Sequence, residues 1–528
     1  MRIGRRRLLA LAGAASLGGL GLAMGMRPGL SMGQAVAATD LPARQRLLMP
    51  PLLDTTATGR VALTAQSGLT RFAGGAPSTT WGFNQGFLAP TILMRSGGLE
   101  ATLDNSLDED VTVHWHGLLV PGEHDGGPHT AIAPGRQLIT PMSLDQGPAT
   151  LWYHSHIHGA TARHVYSGLA GVIHYTDGRD DARGLPSTYG VDDLTLLLQD
   201  RRFDPEGRMI YNPTYADILN GLLGNRVLVN GQPSPIAGVP PGLVRLRLVN
   251  GSNARIYSLH FNDTRPFHLV GTDGGLLPAP IEMTYLPLAP GERAEILVDF
   301  SQGPAPVLMS ARGLSMTVLR FAIDDTLPVR ISRVPDRIGD AIAPLVAPDG
   351  IITRQISLDM GGNSSGQVQS PGHQPSGSMD HSGHAGHASH AGHATATGPT
   401  GVPIHGQGPA VSGLIFDDFR INGRAYRMDR MDFEIRRGTI ERWIVSGGGG
   451  VEHPFHIHGV HFQVESSGGG GPPLAQNSGW KDTVLLSGGA SSLIMRFDHE
   501  ATARFPYMFH CHILEHEDAG MMGQFTVT

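Results

Sequence analysis

Cysteine is nearly absent: Cys511 is the single one in 528 residues, which excludes a disulfide within the chain. Charge is sparse at 16%, while Gly 72 and Pro 38 are abundant, a balance that suits a turn-rich β protein. Basic charge is in deficit, with 39 Lys and Arg against 46 Asp and Glu, and five of the arginines (Arg2, Arg5, Arg6, Arg7, Arg27) crowd the first 37 residues. That argues against nucleic acid as a partner, since such binding relies on neutralising phosphates. Beyond the N-terminus there is no second apolar run long enough to span a bilayer.

The N-terminus itself, "MRIGRRRLLALAGAASLGGLGLAMGM", joins a basic start to a Gly- and Ala-rich apolar run. It ends before "AVAATD", where small residues suggest cleavage after about Ala37. We read residues 1–37 as a removable leader and expect no stable membrane anchor. The arginines of "GRRRLL" are similar to a twin-arginine signal, so the expected location is the periplasm or outside the cell.

Three segments share one plan: "WGFNQGFLAPTILMRSGGLEATLDNSLDEDVTVHWHG", "VLVNGQPSPIAGVPPGLVRLRLVNGSNARIYSLHF" and "FRINGRAYRMDRMDFEIRRGTIERWIVSGGGGVEHPFHIHG". Recurrence over more than 100 residues indicates duplicated domains, expected at 41–178, 190–326 and 350–528. Short runs such as "VRLRLV", "AEILVDF" and "GQFTVT" between Gly and Pro turns predict an all-β chain of sandwiches or Greek-key barrels. The middle copy lacks a His-x-His pair, so a shared site should lie where the outer two meet, with the middle one as spacer and packing partner. Residues 370–401 have no core-forming pattern and are expected to be a disordered insert. Its histidines, His373, His381, His384, His387, His390 and His393, are either solvated bystanders or an accessory copper collector.

Cys511 stands in "HCHILEHEDAGMM", which offers a thiolate, the imidazole of His516 and the thioether of Met521. With one further histidine these are the ligands of a blue-copper site. Residues two apart on a strand share a face, so in "HCH" His510 and His512 point away from Cys511. In "HPFHIHG", His456 and His458 point away from His453. Cys511, His453, His516 and Met521 form one group, and His510, His512, His456 and His458 another. "HWHG" adds His114 and His116, and "HSH" adds His154 and His156. Four His-x-His pairs supply eight imidazoles, enough to hold three coppers with positions open to a small ligand. The remaining histidines, including His158, His164, His174, His260 and His461, are expected to be structural or exposed.

The four motifs, in this order, resemble the multicopper oxidases. The likeness extends through "HGLLVPGEHDGGP", "NGSNAR", "GTDGGLLP", "SGWKDTV" and "LEHEDAGMM" to the bacterial copper-efflux (cuprous) oxidase branch. The resemblance implies three cupredoxin-like domains, the middle one without copper, and four copper ions. A type 1 copper would take His453, Cys511, His516 and axial Met521, and a type 2 copper His114 and His456. Two type 3 coppers would take His116, His154 and His512, and His156, His458 and His510. It further implies proton relay by Asp125 and Glu517. In that branch a substrate-copper site of Met and Asp lies beside the type 1 copper. Here Gly449 and Val451 occupy two of its positions, Asp359 and Met360 keep a remnant, and the insert has histidine for methionine, with Met379 alone.

The expected reaction is one-electron oxidation of substrate coupled to four-electron reduction of dioxygen to water, with Cu(I) as first reductant and small phenols or aromatic amines as the laccase-like alternative. A non-catalytic copper-sequestering protein is the third reading, against which the Cys-His connection argues. A copper nitrite reductase lacks the four pairs. A monomer is expected.

Overall fold

Alternating apolar runs bounded by glycine and proline become strands almost throughout. The computed structural model describes residues 45–313, 315–360, 419–448 and 450–528. The leader, the His-rich insert with its six histidines, and Gly449 lie outside the described residues.

Among the described residues the strands form six sheets, two from each of three successive stretches. The first stretch pairs two four-stranded sheets, one containing Thr91–Met94, Ala170–Tyr175 and Ala149–His154, the other Arg60–Arg71 and Gly97–Asn105. The second stretch sets an eight-stranded sheet, including Asp193–Phe203, Leu243–Asn250 and Arg293–Asp299, against a five-stranded one. The third has two five-stranded sheets, and one of them carries His453–Ile457 beside Tyr507–Cys511. Each stretch encloses its own apolar core. Trp443, Phe455, Phe509 and Phe525 centre the last, Leu246, Tyr257 and Ile296 the middle, and Leu63, Phe83 and Ile173 the first.

In "VRLRLV" the alternation is real, but its polar side does not face water. Every residue of Leu243–Asn250 is buried. Arg245 and Arg247 enter an ion cluster at the joint between the first and second stretches. Arg245 Nε donates to Glu295 at 2.8 Å, Arg247 Nε to Asp193 at 2.7 Å, and the Thr150 hydroxyl to Glu295 at 2.6 Å. Buried charges are tolerated only when paired in this way. Burial alone would raise the Glu295 pKa, but Arg245 and Arg247 outweigh it and bring it down to about 2.

Because the folded value lies below the ordinary carboxylate value, this stability is present above the ordinary value and is lost as pH falls through it towards 2. We expect Glu295→Gln to cost about 3–5 kcal/mol at neutral pH by leaving buried arginine unpaired. The gap from wild type should shrink as the pH is lowered from about 5 towards 2, read by denaturant unfolding. A gap independent of pH would contradict this.

Candidate metal centre

His453–Ile457 runs antiparallel to Tyr507–Cys511, with His456 opposite His510 and Phe455 opposite Cys511. Alternation therefore divides the two strands' side chains between two sites on opposite faces. From the first stretch, His114 and His154 face one another across an isolated bridge, with the His114 N–H donating to the His154 carbonyl at 2.8 Å. This brings His114, His116, His154 and His156 against the histidines of the third stretch. His116 stacks on His456 at 3.7 Å between ring centroids, and His114 on His458 at 3.9 Å. All eight rings are buried.

The structure gathers the eight histidines into one centre, with close groups of His114, His116 and His154 and of His114, His456 and His458, and sets His453, Cys511 and His516 together in another. The ligand nitrogens of His156, His458 and His510 lie within 4.8 Å of one another. His116, His154 and His512 have ring centroids 5.2 to 5.8 Å apart, and His114 lies 5.8 Å from His456.

Counting protons shows what the larger centre requires. Carbonyl and carboxylate oxygens of this kind can only accept, so a ring nitrogen bonded to one must carry the hydrogen. His458 Nδ1–H donates to Asp125 Oδ2 at 2.7 Å, and His510 Nδ1–H to the Cys511 carbonyl at 3.1 Å. In the neutral rings their Nε2 atoms are bare lone pairs, yet they face each other at 3.2 Å, and His156 Nε2 joins His510 Nε2 at 3.3 Å. Burial, together with the neighbouring imidazoles, lowers the pKa of His156 and His458 well below the ordinary histidine value, so neither of these two rings takes a second proton to relieve the repulsion. His114, His154 and His456 likewise donate Nδ1–H to the carbonyls of Asp125, Ser155 and Asp482, leaving Nε2 buried without a partner. Both ring nitrogens of His512 are unpartnered. Orphaned buried nitrogens are rare in proteins, and here they converge. Metal cations fit such a cage, and imidazole suits copper.

The second site forms around Cys511. His453 Nε2–H donates to the Gly448 carbonyl at 3.0 Å, turning Nδ1 to Cys511 Sγ at 3.3 Å. His516 Nε2–H donates to the Leu219 carbonyl at 3.1 Å, turning Nδ1 to the same sulfur at 3.6 Å. Burial pushes the thiol pKa up and brings His516 down to about 3, so both imidazoles stay neutral while the thiol holds its proton until a metal displaces it. Met521 shares the apolar cluster of Cys511, whereas Met522 belongs to another with Tyr426 and Met508. This separates the two adjacent thioethers.

Asp125 and Glu517 are both buried. Glu517 Oε2 lies 3.1 Å from His510 Nδ1, and its other oxygen 3.5 Å from His156 Nδ1. Asp125 is held by Gly126, whose φ of 86° and closeness to Val113 leave no space for a Cβ. Of the other histidines, His164 bonds Ser155, His174 bonds Thr195 and His461 bonds the Gly117 carbonyl.

Sequence reasoning missed Asp482, Arg293 and Gly291. The Asp482 carboxylate accepts from His116 Nε2 at 3.1 Å and is gripped by Arg293 at 2.6 and 2.5 Å. A Cβ on Gly291 would meet the His512 ring at 2.7 Å. The middle stretch is therefore more than a spacer: its "APGER" turn abuts the histidine centre. The turn's likeness to "APGR" in the first repeat was the available signal.

Paired sheets in cupredoxin-like arrangement and a His-Cys-His strand between two such sites define a class, and profiles described as multicopper oxidase match residues 64–179 and 400–528. The chain belongs to the multicopper oxidase family, which implies copper binding. The laccase-like multi-copper oxidase CueO from Ochrobactrum sp. is similar in structure, with TM-score 0.77, 35% identity, and coverage of 91% of this chain and 100% of that one. A multicopper oxidase from Campylobacter jejuni, a metallo-oxidase, matches with TM-score 0.74, 27% identity, and coverage of 94% and 97%. Curated relatives bear another name. Cell division protein FtsP of Edwardsiella tarda (strain FL6-60) is 34% identical over 94% of this chain and 97% of its own, and that of Escherichia coli (strain K12) 33% over 92% and 93%.

Copper should relieve the repulsion among the orphaned nitrogens, so its removal by chelation should lower the unfolding midpoint. At a free copper concentration about 1,000 times the dissociation constant, one site contributes about 4 kcal/mol. Calorimetry with and without copper checks this, and an unchanged midpoint would contradict it.

Proposed function

We propose that this chain is a copper-dependent oxidase coupling one-electron oxidation of substrate, Cu(I) to Cu(II) first, to reduction of dioxygen to water. The observation that carries this reading is the convergence of proton-free imidazole nitrogens behind a Cys511 centre. On this reading His453, Cys511, His516 and Met521 would hold one copper, and His114 with His456, His116 with His154 and His512, and His156 with His458 and His510 the other three. Copper bound there would supply one-electron transfer at the first site and dioxygen reduction at the second. Cys511 is bonded in sequence to His510 and His512, which gives a short covalent path between the sites. Glu517 and Asp125, touching His510 and His458, are suited to pass protons inward. The chain would work outside the cytoplasm, exported by its leader, as a monomer with domains at 41–178, 190–326 and 350–528. Among the described residues no helix is long and apolar enough to cross a membrane.

Cu(I) is favoured over phenols by what flanks the Cys511 site. Asp359 is exposed at the end of Ile352–Met360, where the Gly448 N–H bonds the Leu358 carbonyl and the Gly448 carbonyl accepts from His453. Met360 pairs with Phe419, whose ring lies 4.9 Å from that of His516. A carboxylate and a thioether at the strand end that adjoins the Cys511 site suit a soft monovalent copper donor. The name of the curated relatives supports a second reading, in which the chain serves cell division, and the Ochrobactrum protein, with oxidase activity towards lignin model compounds and lignosulfonate, supports the laccase-like alternative.

Dioxygen uptake with Cu(I), and separately with a phenol, tests the reading. Asp359→Ala with Met360→Leu should lower kcat/KM for Cu(I) about tenfold, equal to ~1.4 kcal/mol, and leave the phenol rate unchanged. Cys511→Ser should abolish both rates and the blue colour. A chain that consumes no dioxygen, and whose Cys511→Ser form still supports normal division in a deletion strain, would favour the second reading.

Met521→Leu should raise the potential of the Cys511 site with copper retained, since the axial ligand tunes it, while Met522→Leu should not. Redox titration decides. The reverse pattern would make Met522 the axial group.

A further inference from the structure

His116 is set into the centre the other way round from its neighbours. His114, His154, His456, His458 and His510 all turn Nδ1 to an oxygen and Nε2 inward. In His116 it is Nε2 that faces an oxygen, Asp482 Oδ1 at 3.1 Å, and Nδ1 that is buried without a partner. A carboxylate has no hydrogen to give, so His116 Nε2 must carry the proton and Nδ1 is left as the lone pair.

The carboxylate that dictates this is immobilised from three parts of the chain. Arg293, fully buried, grips both Asp482 oxygens at 2.6 and 2.5 Å. Its remaining hydrogens go to the carbonyls of Thr150 at 3.2 Å, Gly291 at 3.1 Å and Asp273 at 2.9 Å. Thr483 Oγ1 donates to Asp482 Oδ1 at 2.9 Å, and the Asp482 carbonyl accepts from His456 Nδ1 at 2.9 Å. One residue thus orients a histidine from each of two motifs, and the arginine that holds it comes from the stretch that supplies no candidate ligand. Nearby, the Lys481 ammonium spans Asp273 and Glu292, at 2.9 Å to each.

We propose that Arg293 and Asp482 are positioning residues that fix the ring of His116 with Nδ1 unprotonated and directed into the histidine centre, so that the middle stretch controls metal loading at a site to which it gives no ligand. This rests on the reading that the eight histidines hold copper. A partner of this kind fixes both the tautomer and the orientation of a ligand ring, and its loss typically costs roughly 10- to 100-fold in metal affinity. An amide at position 482 can donate as well as accept, which frees the ring to invert. A lysine at 293 keeps the charge but cannot hold two oxygens at once.

Copper content, copper affinity and optical and paramagnetic spectra would be measured for Asp482→Asn, Arg293→Lys and the control Lys481→Met. We expect Asp482→Asn to keep the blue band of the Cys511 site while binding copper at the histidine centre roughly 10- to 100-fold more weakly, with Arg293→Lys intermediate. Lys481→Met perturbs the same joint without touching His116, and should lower the unfolding midpoint while leaving copper affinity unchanged. Undiminished loading of Asp482→Asn would overturn the proposal, as would a Lys481→Met chain that loses copper equally. A further measurement needs no change at the joint. In copper-free wild-type protein labelled with ¹⁵N-histidine, the His116 signals, assigned by their absence from His116→Asn, should report a neutral ring protonated on Nε2. Protonation on Nδ1 would overturn the proposal even if every joint variant failed to fold. A wild-type chain with that Nε2-protonated ring that takes up no copper at the histidine centre would refute the copper reading instead.

Discussion

Everything in this molecule is arranged around buried imidazole nitrogens that face one another with no hydrogen between them. His458 and His510 bring two such atoms together at 3.2 Å, with the oxygens of Asp125 and Cys511 holding their protons on the outer side, and His156 Nε2 lies 3.3 Å from the second of them. Without a cation this is a repulsive arrangement in a medium of low polarity. The sheets hold it in place because pairing of His456 with His510, and of His114 with His154, fixes the backbone beneath. With a cation the same geometry becomes attractive, which is why the folded chain reads as a preformed metal cage.

The joints between the three stretches carry charge instead of apolar surface. Glu295 with Arg245 and Arg247 closes one joint, and Arg293 with Asp482, Asp273 and Lys481 another. Buried ion pairs contribute little net stability compared with apolar packing, but removing one partner is costly. Their effect here is geometric: the positions of Asp482 and Gly291 against His116 and His512 depend on the joint being closed in one register.

Much of the centre was legible because a strand has a period of two. Parity alone separated Cys511 and His453 from His510, His512, His456 and His458, and the sheet pairing follows that division. It could not tell which nitrogen of each ring points inward, since that depends on an oxygen brought from elsewhere: Asp125 for His458, Asp482 for His116. Arg293 and Gly291 were hidden for the same reason, as they lie about 190 and 220 residues from the Asp482 and His512 they touch. The buried side of "VRLRLV" was likewise unreadable, because a strand flanked on both faces looks in sequence like one half exposed to water. The resemblance to multicopper oxidases supplied the grouping of ligands into ions, which no periodicity contains. The relation to proteins named for cell division was not read from the motifs.

Anomalous X-ray scattering at the copper edge from crystals of the copper-loaded protein tests the central claim most directly. One peak should lie among His453, Cys511 and His516, and three more within the cage of His114, His116, His154, His156, His456, His458, His510 and His512, with a peak beside Nδ1 and not Nε2 of His116. Crystals that show no copper in the cage, or copper only at surface histidines, would contradict the account.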